Sequence, residues 1–196
     1  KLYNPSIRAD LVQRPRLVER LENSYQAGKC VTLVSAPAGF GKTTLINQWI
    51  SGSKPRKAFG WISLDDGDNN PTHFLTYLIA ALQKVNPEIG RDILALLQSS
   101  QISNLNDALE ALINEISVES NPLLIVLDDY HLFKNPEVHA LMQLFLKRQP
   151  NILHLVIMTR EDPPLPLPRM RVQGLVTEIR EHDLRFSLPE AQAGHE

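Results

Sequence analysis

A short glycine-containing segment between an apolar run and a helical pattern constrains the fold of this chain more than any other part of its sequence. The run Val-Thr-Leu-Val-Ser at 31–35 is typical of a buried strand, and Leu45, Ile46 and Trp49 follow at helical spacing. Between them, residues 36–43 match the pattern G-x-x-x-x-G-K-[ST], with alanine at its first position. Backbone N–H groups of such a loop and the N-terminus of the following helix together bind an anion. The sequence therefore predicts a strand–loop–helix unit that binds phosphate.

Two side chains of this segment have predicted roles in binding a nucleotide. Lys42 is expected to reach the β- and γ-phosphates, and Thr43 to offer its hydroxyl to Mg²⁺. Gly39 and Gly41 allow the backbone to turn its N–H groups inward around the anion. The predicted nucleotide-binding residues of the loop and first helical turn are Ala36, Pro37, Ala38, Gly39, Phe40, Gly41, Lys42, Thr43 and Thr44.

Composition narrows the class of protein. With 196 residues, 43% of them hydrophobic, the chain is suited to one α/β domain with a full core, with the start of a second domain as an open alternative. A net charge of −2 indicates no broad basic surface for nucleic acid. Cys30 is the only cysteine, which excludes an internal disulfide and fits a reducing compartment. No apolar run is long enough for a membrane span and no signal peptide precedes the first strand, so we expect a cytoplasmic protein with no membrane partner.

An acidic pair stands at the end of a second apolar run. The run at 123–127 is typical of a strand buried on both faces of a parallel sheet, and Asp128 and Asp129 follow it directly. Carboxylates in that place are costly unless they have a cation or water to bind. This is a Walker B pattern, in which Asp128 is expected to hold Mg²⁺ through water and Asp129 to act as general base for an attacking water. Standing alone, the pair is also consistent with a cap of the next turn.

The strand predicted at 152–158 is followed by Thr-Arg-Glu-Asp. An arginine at the carboxyl end of a strand is suited to sensing a γ-phosphate, because it stays charged and bonds phosphate oxygens in a bidentate way. The sequence therefore makes Arg160 a candidate sensor of the γ-phosphate. The alternative, which the sequence leaves open, is a surface arginine paired with Glu161 or Asp162.

Two further segments are open on sequence alone. A strand predicted at 58–64 ends in Asp65, whose place at a carboxyl end leaves a contact with the nucleotide open. Asn70 then predicts a helix cap, with Pro71 as the first helical residue. The prolines of Pro163–Pro168 predict a stiff connecting loop, with docking to an aromatic groove as the alternative.

Apolar periodicity and capping residues predict the remaining elements. One helix is predicted to begin at Pro15 and to end near Gly28, and a second to extend from Pro71 to Val85. Two more are predicted at 88–98 and 105–116, and another follows Pro136. The last strand is predicted at 175–179.

Taken together, these motifs resemble those of the nucleotide-binding domain of the MalT-like STAND ATPases, which are large LuxR-type transcriptional regulators of bacteria. The Walker motifs alone indicate only a P-loop NTPase, whereas the combination is far more specific and extends over nearly the whole chain. It consists of Arg-Pro-Arg-Leu at 14–17, Ser-Ala-Pro-Ala-Gly-Phe-Gly-Lys-Thr-Thr at 35–44, Trp-Ile-Ser-Leu-Asp at 61–65, Asp-Asn-Asn-Pro at 68–71, Leu-Asp-Asp-Tyr-His at 127–131, Thr-Arg-Glu-Asp-Pro-Pro-Leu-Pro-Leu at 159–167 and Asp-Leu-Arg-Phe at 183–186.

The resemblance implies the fold class: an α/β, three-layer P-loop NTPase with a five-stranded, mainly parallel sheet flanked by helices. In such proteins the fourth strand lies between the two Walker strands, which implies that Arg160 lies beside the γ-phosphate. It also implies that Arg14 and Arg16 lie near the adenine.

The resemblance also implies a division of the chain. A helical lead-in is expected at 1–28, the NTPase domain at 29–182, and at 183–196 a linker towards a winged-helix domain that is missing here. Promoter DNA is an implied partner of the full-length regulator, through a C-terminal helix-turn-helix that is likewise absent.

The implied function is a switch that binds ATP or ADP with Mg²⁺ and hydrolyses ATP slowly. Its ATP state is expected to control self-association of the full-length regulator and activation of transcription. The predicted catalytic residues are Lys42, Asp129 and Arg160, and the predicted metal-binding residues are Thr43 and Asp128.

Two other functions stay as alternatives. A P-loop kinase of a small molecule shares the Gly-Lys-Thr loop but commonly needs an arginine-bearing lid, and no arginine-rich segment precedes Thr159. A nucleotide-independent interaction module is disfavoured by the intact Gly-Lys-Thr, Asp-Asp and Arg160. The guanine-reading pattern Asn/Thr-Lys-x-Asp is absent, which favours ATP over GTP.

Overall fold

Five parallel strands form the central sheet of this computed structural model, which describes residues 2, 12–54, 57–99, 102, 104–187 and 190. The strands lie in the order β2-β3-β4-β1-β5, and each neighbouring pair is parallel. This order confirms that the fourth strand lies between the two Walker strands. The strands are β1 (Val31–Ser35), β2 (Phe59–Ser63), β3 (Leu123–Asp128), β4 (Leu153–Thr159) and β5 (Val176–Arg180).

The position of the three inner strands inside the sheet explains why their sequences are continuously apolar. β1, β3 and β4 are buried along their whole length, because helices cover both faces of the sheet. In the register, Ser35 pairs with Thr159 and Leu127 pairs with Ile157, so these strands end side by side. The loops that leave β1, β3 and β4 therefore meet at one edge of the sheet, where open parallel sheets bind ligands.

Eight helices and two 3₁₀ turns connect the strands in the described part of the chain. None of the described helices combines the length and the apolar character needed to cross a bilayer. The helices are α1 (Pro15–Gln26), α2 (Lys42–Gly52), α3 (Pro71–Leu82), α4 (Arg91–Gln98), α5 (Leu105–Ser117), α6 (Pro136–Arg148), α7 (Leu167–Val172) and α8 (Glu181–Leu184), and the 3₁₀ turns are Asp66–Asp68 and Tyr130–Leu132.

The helices divide between the two faces and give the molecule three layers. α3 to α7 pack over one apolar cluster, and α1, α2 and α8 pack over a second. β1 shows the division, because Leu33 belongs to the first cluster and its neighbour Val34 to the second. Leu17 and Leu21 of α1 are fully buried in the second cluster. The three-layer α/β fold predicted from the sequence is confirmed.

Two predicted helix limits are wrong. The helix predicted at 88–98 begins only at Arg91, because Gly90, with a φ of 66°, lies outside the helix as its N-cap. α3 ends at Leu82, and Val85 packs against the core from the turn that follows. In both cases the helical spacing of apolar residues continues beyond the helix, into residues whose backbone is not helical.

The segments predicted to flank the NTPase domain pack on the sheet where they are described. Arg14 Nη1 donates to the carbonyl oxygen of Leu184 (2.7 Å), and Arg20 Nη1 donates to Asp183 Oδ1 (2.9 Å). These bonds tie α8 to α1, the helix of the predicted lead-in. The parts of both segments that lie outside the described residues are 1, 3–11, 188–189 and 191–196.

Candidate nucleotide site

The loops after β1, β3 and β4 enclose a pocket of about 360 Å³. Three side chains from the ends of β3 and β4 line it, namely Asp128, Asp129 and Arg160. The phosphate loop and the start of α2 supply Ala38, Gly39, Gly41, Lys42, Thr43 and Thr44. Residues predicted from three separate stretches of sequence thus come together in one place.

The phosphate loop has the backbone that its glycines were predicted to permit. Gly39 and Gly41 have φ values of 83° and 74°, and Gly41 is the N-cap of α2. The N–H of Ala36 donates to the carbonyl oxygen of Thr159 (3.2 Å), which joins the loop to β4. Phe40 is partly buried against the second apolar cluster and is not part of the pocket lining.

Lys42 is buried at the start of α2. Its Nζ donates to the carbonyl oxygens of Ala36 (2.7 Å) and Pro37 (3.0 Å). Burial lowers the pKa of Lys42, while the carboxylates of Asp129 and Asp128 act in the opposite direction. Phosphate oxygens carry charge and accept more strongly than carbonyl oxygens. Lys42 is therefore suited to exchange these two bonds for bonds to a nucleotide.

Asp128 and Thr43 form the candidate magnesium site. Thr43 Oγ1 donates to Asp128 Oδ2 (3.1 Å), and Asp128 is only 6% exposed. Burial, reinforced by the charge of Asp129, raises the pKa of Asp128 to about 6. A buried carboxyl group of this kind gains from a nearby cation, and hydroxyl and carboxylate oxygens are ligands that Mg²⁺ prefers. The donor set therefore fits the ion.

Asp129 has an unusual backbone. Among the described residues it is the only one other than glycine with a positive φ, at φ 60° and ψ 39°. Such a conformation costs on the order of 1 kcal/mol or more and persists only where the surroundings hold it, which is common at functional sites. The Asp129 side chain is 41% exposed, so its carboxylate is accessible to water.

His131 lies against Asp129 without being among the residues that line the pocket, and the sequence predicted no role for it. Its Nδ1 lies 3.7 Å from Asp129 Oδ1, and that buried nitrogen has no hydrogen-bond partner among the described residues. Burial lowers the pKa of His131, which favours the neutral ring. The available signals were its position two residues after Asp129 and its place in the Leu-Asp-Asp-Tyr-His motif, and the 3₁₀ turn Tyr130–Leu132 converts that spacing into proximity.

Arg160 is exposed and faces the pocket rather than its sequence neighbours. Glu161 pairs with Lys134 (3.0 Å), and Asp162 pairs with Arg180. Within the described ranges, Arg160 has no hydrogen bond or ion pair of its own. The surface pairing of Arg160 with Glu161 or Asp162, which the sequence left open, is not what the structure shows.

Arg14 and Arg16 do not line the pocket but hold the segment after β5. The buried Arg14 lies beside the phosphate loop, since its Nη2 is 3.5 Å from where a Cβ on Gly41 would be. Its guanidinium also lies 4.3 Å from the centre of the Phe186 ring. Arg16 Nη2 donates to the carbonyl oxygen of Asp183 (2.8 Å). Their predicted place near the adenine stays a prediction.

Asp65 and the proline-rich loop, whose roles the sequence left open, make local contacts. Asp65 Oδ1 accepts from the N–H of Gly67 (2.9 Å) as a cap of the turn Asp66–Asp68, and Asp65 is not among the residues that line the pocket. In the proline-rich loop, the carbonyl oxygen of Pro164 accepts from Gln143 Nε2 (2.8 Å) of α6. The loop thus packs on the helix layer, but it ends at Pro166, because Leu167 and Pro168 already form the first turn of α7; the loop predicted over Pro163–Pro168 is two residues too long.

Sequence comparison finds relatives over almost the whole chain. The AAA ATPase domain family matches residues 10–158. The HTH-type transcriptional regulator MalT of Cronobacter sakazakii is 38% identical over 192 residues, and that of Serratia proteamaculans is 39% identical over 192 residues. Each alignment covers 98% of this chain but 21% of the relative. The chain therefore spans about a fifth of the length of the curated relatives it matches.

Solved structures with the same fold come from more distant proteins. A signal transduction ATPase with numerous domains (STAND) from Pyrococcus horikoshii, which carries a tetratricopeptide repeat sensor, superimposes with a TM-score of 0.68 at 20% identity. That alignment covers 97% of this chain and 25% of the other. The Orc1 protein of Aeropyrum pernix, solved with DNA, gives a TM-score of 0.61 at 17% identity, covering 97% and 49% of the two chains. At these identities the likeness shows the fold alone.

Proposed function

The chain belongs to the AAA ATPase domain family, as a P-loop ATPase domain of the MalT-like kind, and from that premise we propose that it is the ATP-operated switch of a larger transcriptional regulator. The observation that carries the proposal is the meeting of Lys42, Thr43, Asp128, Asp129 and Arg160 at one pocket. The pocket combines a phosphate-binding loop, a pair of oxygen ligands for Mg²⁺, an accessible carboxylate and a cation without a partner in the described ranges.

Each of these residues has a distinct task in the proposed reaction. Lys42 and the loop N–H groups bind and orient the phosphates. Thr43 and Asp128 would hold Mg²⁺, which would neutralise negative charge on the phosphates. Asp129 accepts a proton from the water that attacks the γ-phosphorus, while the bond between that phosphorus and the β–γ bridging oxygen breaks and ADP leaves with the electron pair. Arg160 bonds the γ-phosphate oxygens as negative charge shifts during the transfer.

The proposed switch depends on a difference in affinity between states. Moving a two-state equilibrium from 1:99 to 99:1 takes about 5.5 kcal/mol of differential binding. Arg160 supplies part of that difference, because ATP offers it a γ-phosphate and ADP does not. Slow hydrolysis suits such a protein, since its output is a population of states. We propose that the ATP state favours self-association of the whole regulator, which binds promoter DNA through regions outside this chain.

Several finer points belong to the same proposal. We propose that Arg14 and Arg16 lie near the adenine, and the position of Arg14 beside the phosphate loop at Gly41 supports this for Arg14. The lead-in at 1–28 and the linker at 183–196 flank the NTPase domain at 29–182. The protein acts in the cytoplasm, as transcriptional regulators of bacteria do.

Asp129→Asn tests the proposed chemistry directly. We expect the variant to bind Mg-ATP with the affinity of the wild type and to lose about 10²- to 10⁴-fold in turnover, because the amide cannot accept the proton. Binding is measured by calorimetry, and the products are followed with ATP labelled at the γ-phosphate. Asp92→Asn, which removes the same charge from the exposed face of α4, is the control.

The identity of the labelled product distinguishes an ATPase from a small-molecule kinase. Free labelled phosphate supports the ATPase, whereas a labelled small molecule formed from added metabolites supports a kinase. Turnover by Asp129→Asn at the wild-type rate contradicts the role of Asp129, and failure of the folded wild type to bind nucleotide favours an interaction module.

A further inference from the structure

The side chain of Asn69 bridges two loops at the carboxyl edge of the sheet. Asn69 follows the turn Asp66–Asp68, and its Oδ1 accepts from the backbone N–H groups of Lys134 (2.6 Å) and Asn135 (3.2 Å). Its Nδ2 donates to the carbonyl oxygen of Leu132 (3.0 Å), and Asn135 Nδ2 donates back to the Asn69 carbonyl oxygen (3.0 Å). The four bonds join positions 63 to 66 residues apart and tie the loop after β2 to the loop after β3.

The loop that Asn69 holds begins at Asp129. Asp129 has the positive φ described above, and the 3₁₀ turn Tyr130–Leu132 follows it directly. On the core side the turn is anchored by Tyr130 and Phe133, which are buried and whose ring centres lie 5.3 Å apart. Asn69 supplies the polar anchorage at the other end of the same turn. A strained backbone of this kind persists only where its surroundings fix it.

Other polar contacts nearby do not replace this bridge. Lys134 Nζ lies 3.0 Å from Glu161 Oε1, but both side chains are about two-thirds exposed, so water screens the pair. Asn70, the neighbour of Asn69, caps α3 by accepting from the N–H of His73 (3.1 Å) and has no hydrogen bond to the loop after β3 within the described residues.

We propose that Asn69 is a positioning residue for Asp129: by fixing residues 132–135 it holds the turn that sets the Asp129 carboxylate in the pocket. The inference rests on the proposed role of Asp129 as general base. A displacement of about 1 Å at a reacting group costs up to about 10²-fold in rate. Nucleotide affinity, in contrast, comes chiefly from the phosphate loop, so a change at Asn69 affects the rate more than the binding.

Three variants of the whole chain test this inference. With saturating Mg-ATP, we expect Asn69→Ala to lower kcat about 10- to 100-fold while the Kd for Mg-ATP changes less than about threefold. Asn69→Asp keeps an acceptor for Lys134 and Asn135 and, of the bonds described above, loses the donor to Leu132, so it recovers most of the rate. Asn70→Ala removes a helix cap at the next position and keeps the kcat of the wild type.

Amide hydrogen exchange at Leu132 and Phe133 gives a readout that needs no turnover, because their N–H groups close the turn onto Asp129 (3.0 Å) and Tyr130 (3.1 Å). We expect exchange to be about tenfold faster in Asn69→Ala and unchanged in Asn70→Ala. A wild-type kcat in Asn69→Ala, or equal losses in the two alanine variants, overturns the inference. A wild type without turnover contradicts the proposed hydrolysis instead, and the exchange rates then decide the inference separately.

Discussion

At the scale of single residues, the candidate site buries ionisable side chains, and the charged form of each is energetically costly without a partner of opposite charge. Burial lowers the pKa of Lys42 and raises that of Asp128, so the charged form of each is disfavoured where it stands. A bound nucleotide with Mg²⁺ would offset both costs, because under the proposed assignment its phosphates pair with Lys42 and the ion pairs with Asp128. The charges of the pocket are thus complementary to a metal-bound polyanion.

A buried histidine away from the site makes the stability of the fold depend on pH. His154 is 4% exposed, its Nδ1 donates to the carbonyl oxygen of Lys29 (2.6 Å), and its Nε2 lies 2.9 Å from Thr32 Oγ1. Burial lowers the pKa of His154 to about 4, from 6.5 in the unfolded chain. Between these values the unfolded chain binds a proton that the folded chain does not, so stability falls as the pH falls.

We expect the free energy of unfolding to lose roughly 3 kcal/mol through His154 as the pH falls from 6.5 to 4, because each pKa unit corresponds to about 1.4 kcal/mol. Urea unfolding across this range measures the slope. His154→Gln is expected to remove this contribution, whereas the control His73→Gln, at an exposed position on α3, retains it. Identical slopes in the wild type and His154→Gln contradict the assignment.

Local motifs made much of the site predictable at this scale. The phosphate loop and the Asp128-Asp129 pair are each recognisable within a few residues, because phosphate and metal binding need particular residue types at fixed spacing. Asn69 and His131 were missed for a physical reason. The proposed role of Asn69 depends on partners 63 to 66 positions away, and the approach of His131 to Asp129 depends on a turn whose geometry the sequence does not specify.

At the scale of elements, one close approach joins β2 to α3. A Cβ on Gly60 would lie 2.2 Å from the carbonyl oxygen of Ala81 and 2.8 Å from Ile125 Cδ1. The first of these atoms belongs to the backbone of α3, which cannot move without displacing the helix. Only glycine lets this helix pack at its observed distance from the strand.

We therefore expect Gly60→Ala to lower the free energy of unfolding by about 3 kcal/mol or more, since overpacking against backbone has little room to relax. Chemical denaturation measures the change. Gly52→Ala at the end of α2, where nothing lies within 4 Å of the added Cβ, is expected to stay within about 1 kcal/mol of the wild type. Similar stabilities for the two variants are incompatible with the close approach.

The first residues of helices that begin with a proline were predicted correctly from the sequence. α1, α3 and α6 begin at Pro15, Pro71 and Pro136, and Asn70 and Asn135 cap the last two. Helix ends were predicted less reliably where apolar residues continue at helical spacing through the following turn, as at Val85. The packing of Gly60 was not predictable, because its neighbour Ala81 belongs to another element.

At the scale of the whole molecule, the strand order gives the site its composition. β4 lies between β1 and β3, which brings Arg160 to the phosphate loop on one side and to the acidic pair on the other. Periodicity predicts the strands but not their order, and the order came from the family resemblance. The same arrangement would let a γ-phosphate contact residues from three loops at once, which is what the proposed switch between ATP and ADP requires.

The measurement that tests this account most directly is a calorimetric titration of the purified chain with Mg-ATP and with ADP, in the wild type, Lys42→Ala and Lys84→Ala. Lys84 is an exposed lysine after α3 and is the matched control. We expect saturable binding in the wild type and Lys84→Ala, and about 10- to 100-fold weaker binding in Lys42→Ala, because a charged hydrogen-bond donor to phosphate contributes about 1.5–3 kcal/mol. Equal affinity in wild type and Lys42→Ala, or no binding by the folded wild type, contradicts the assignment of this pocket as the nucleotide site.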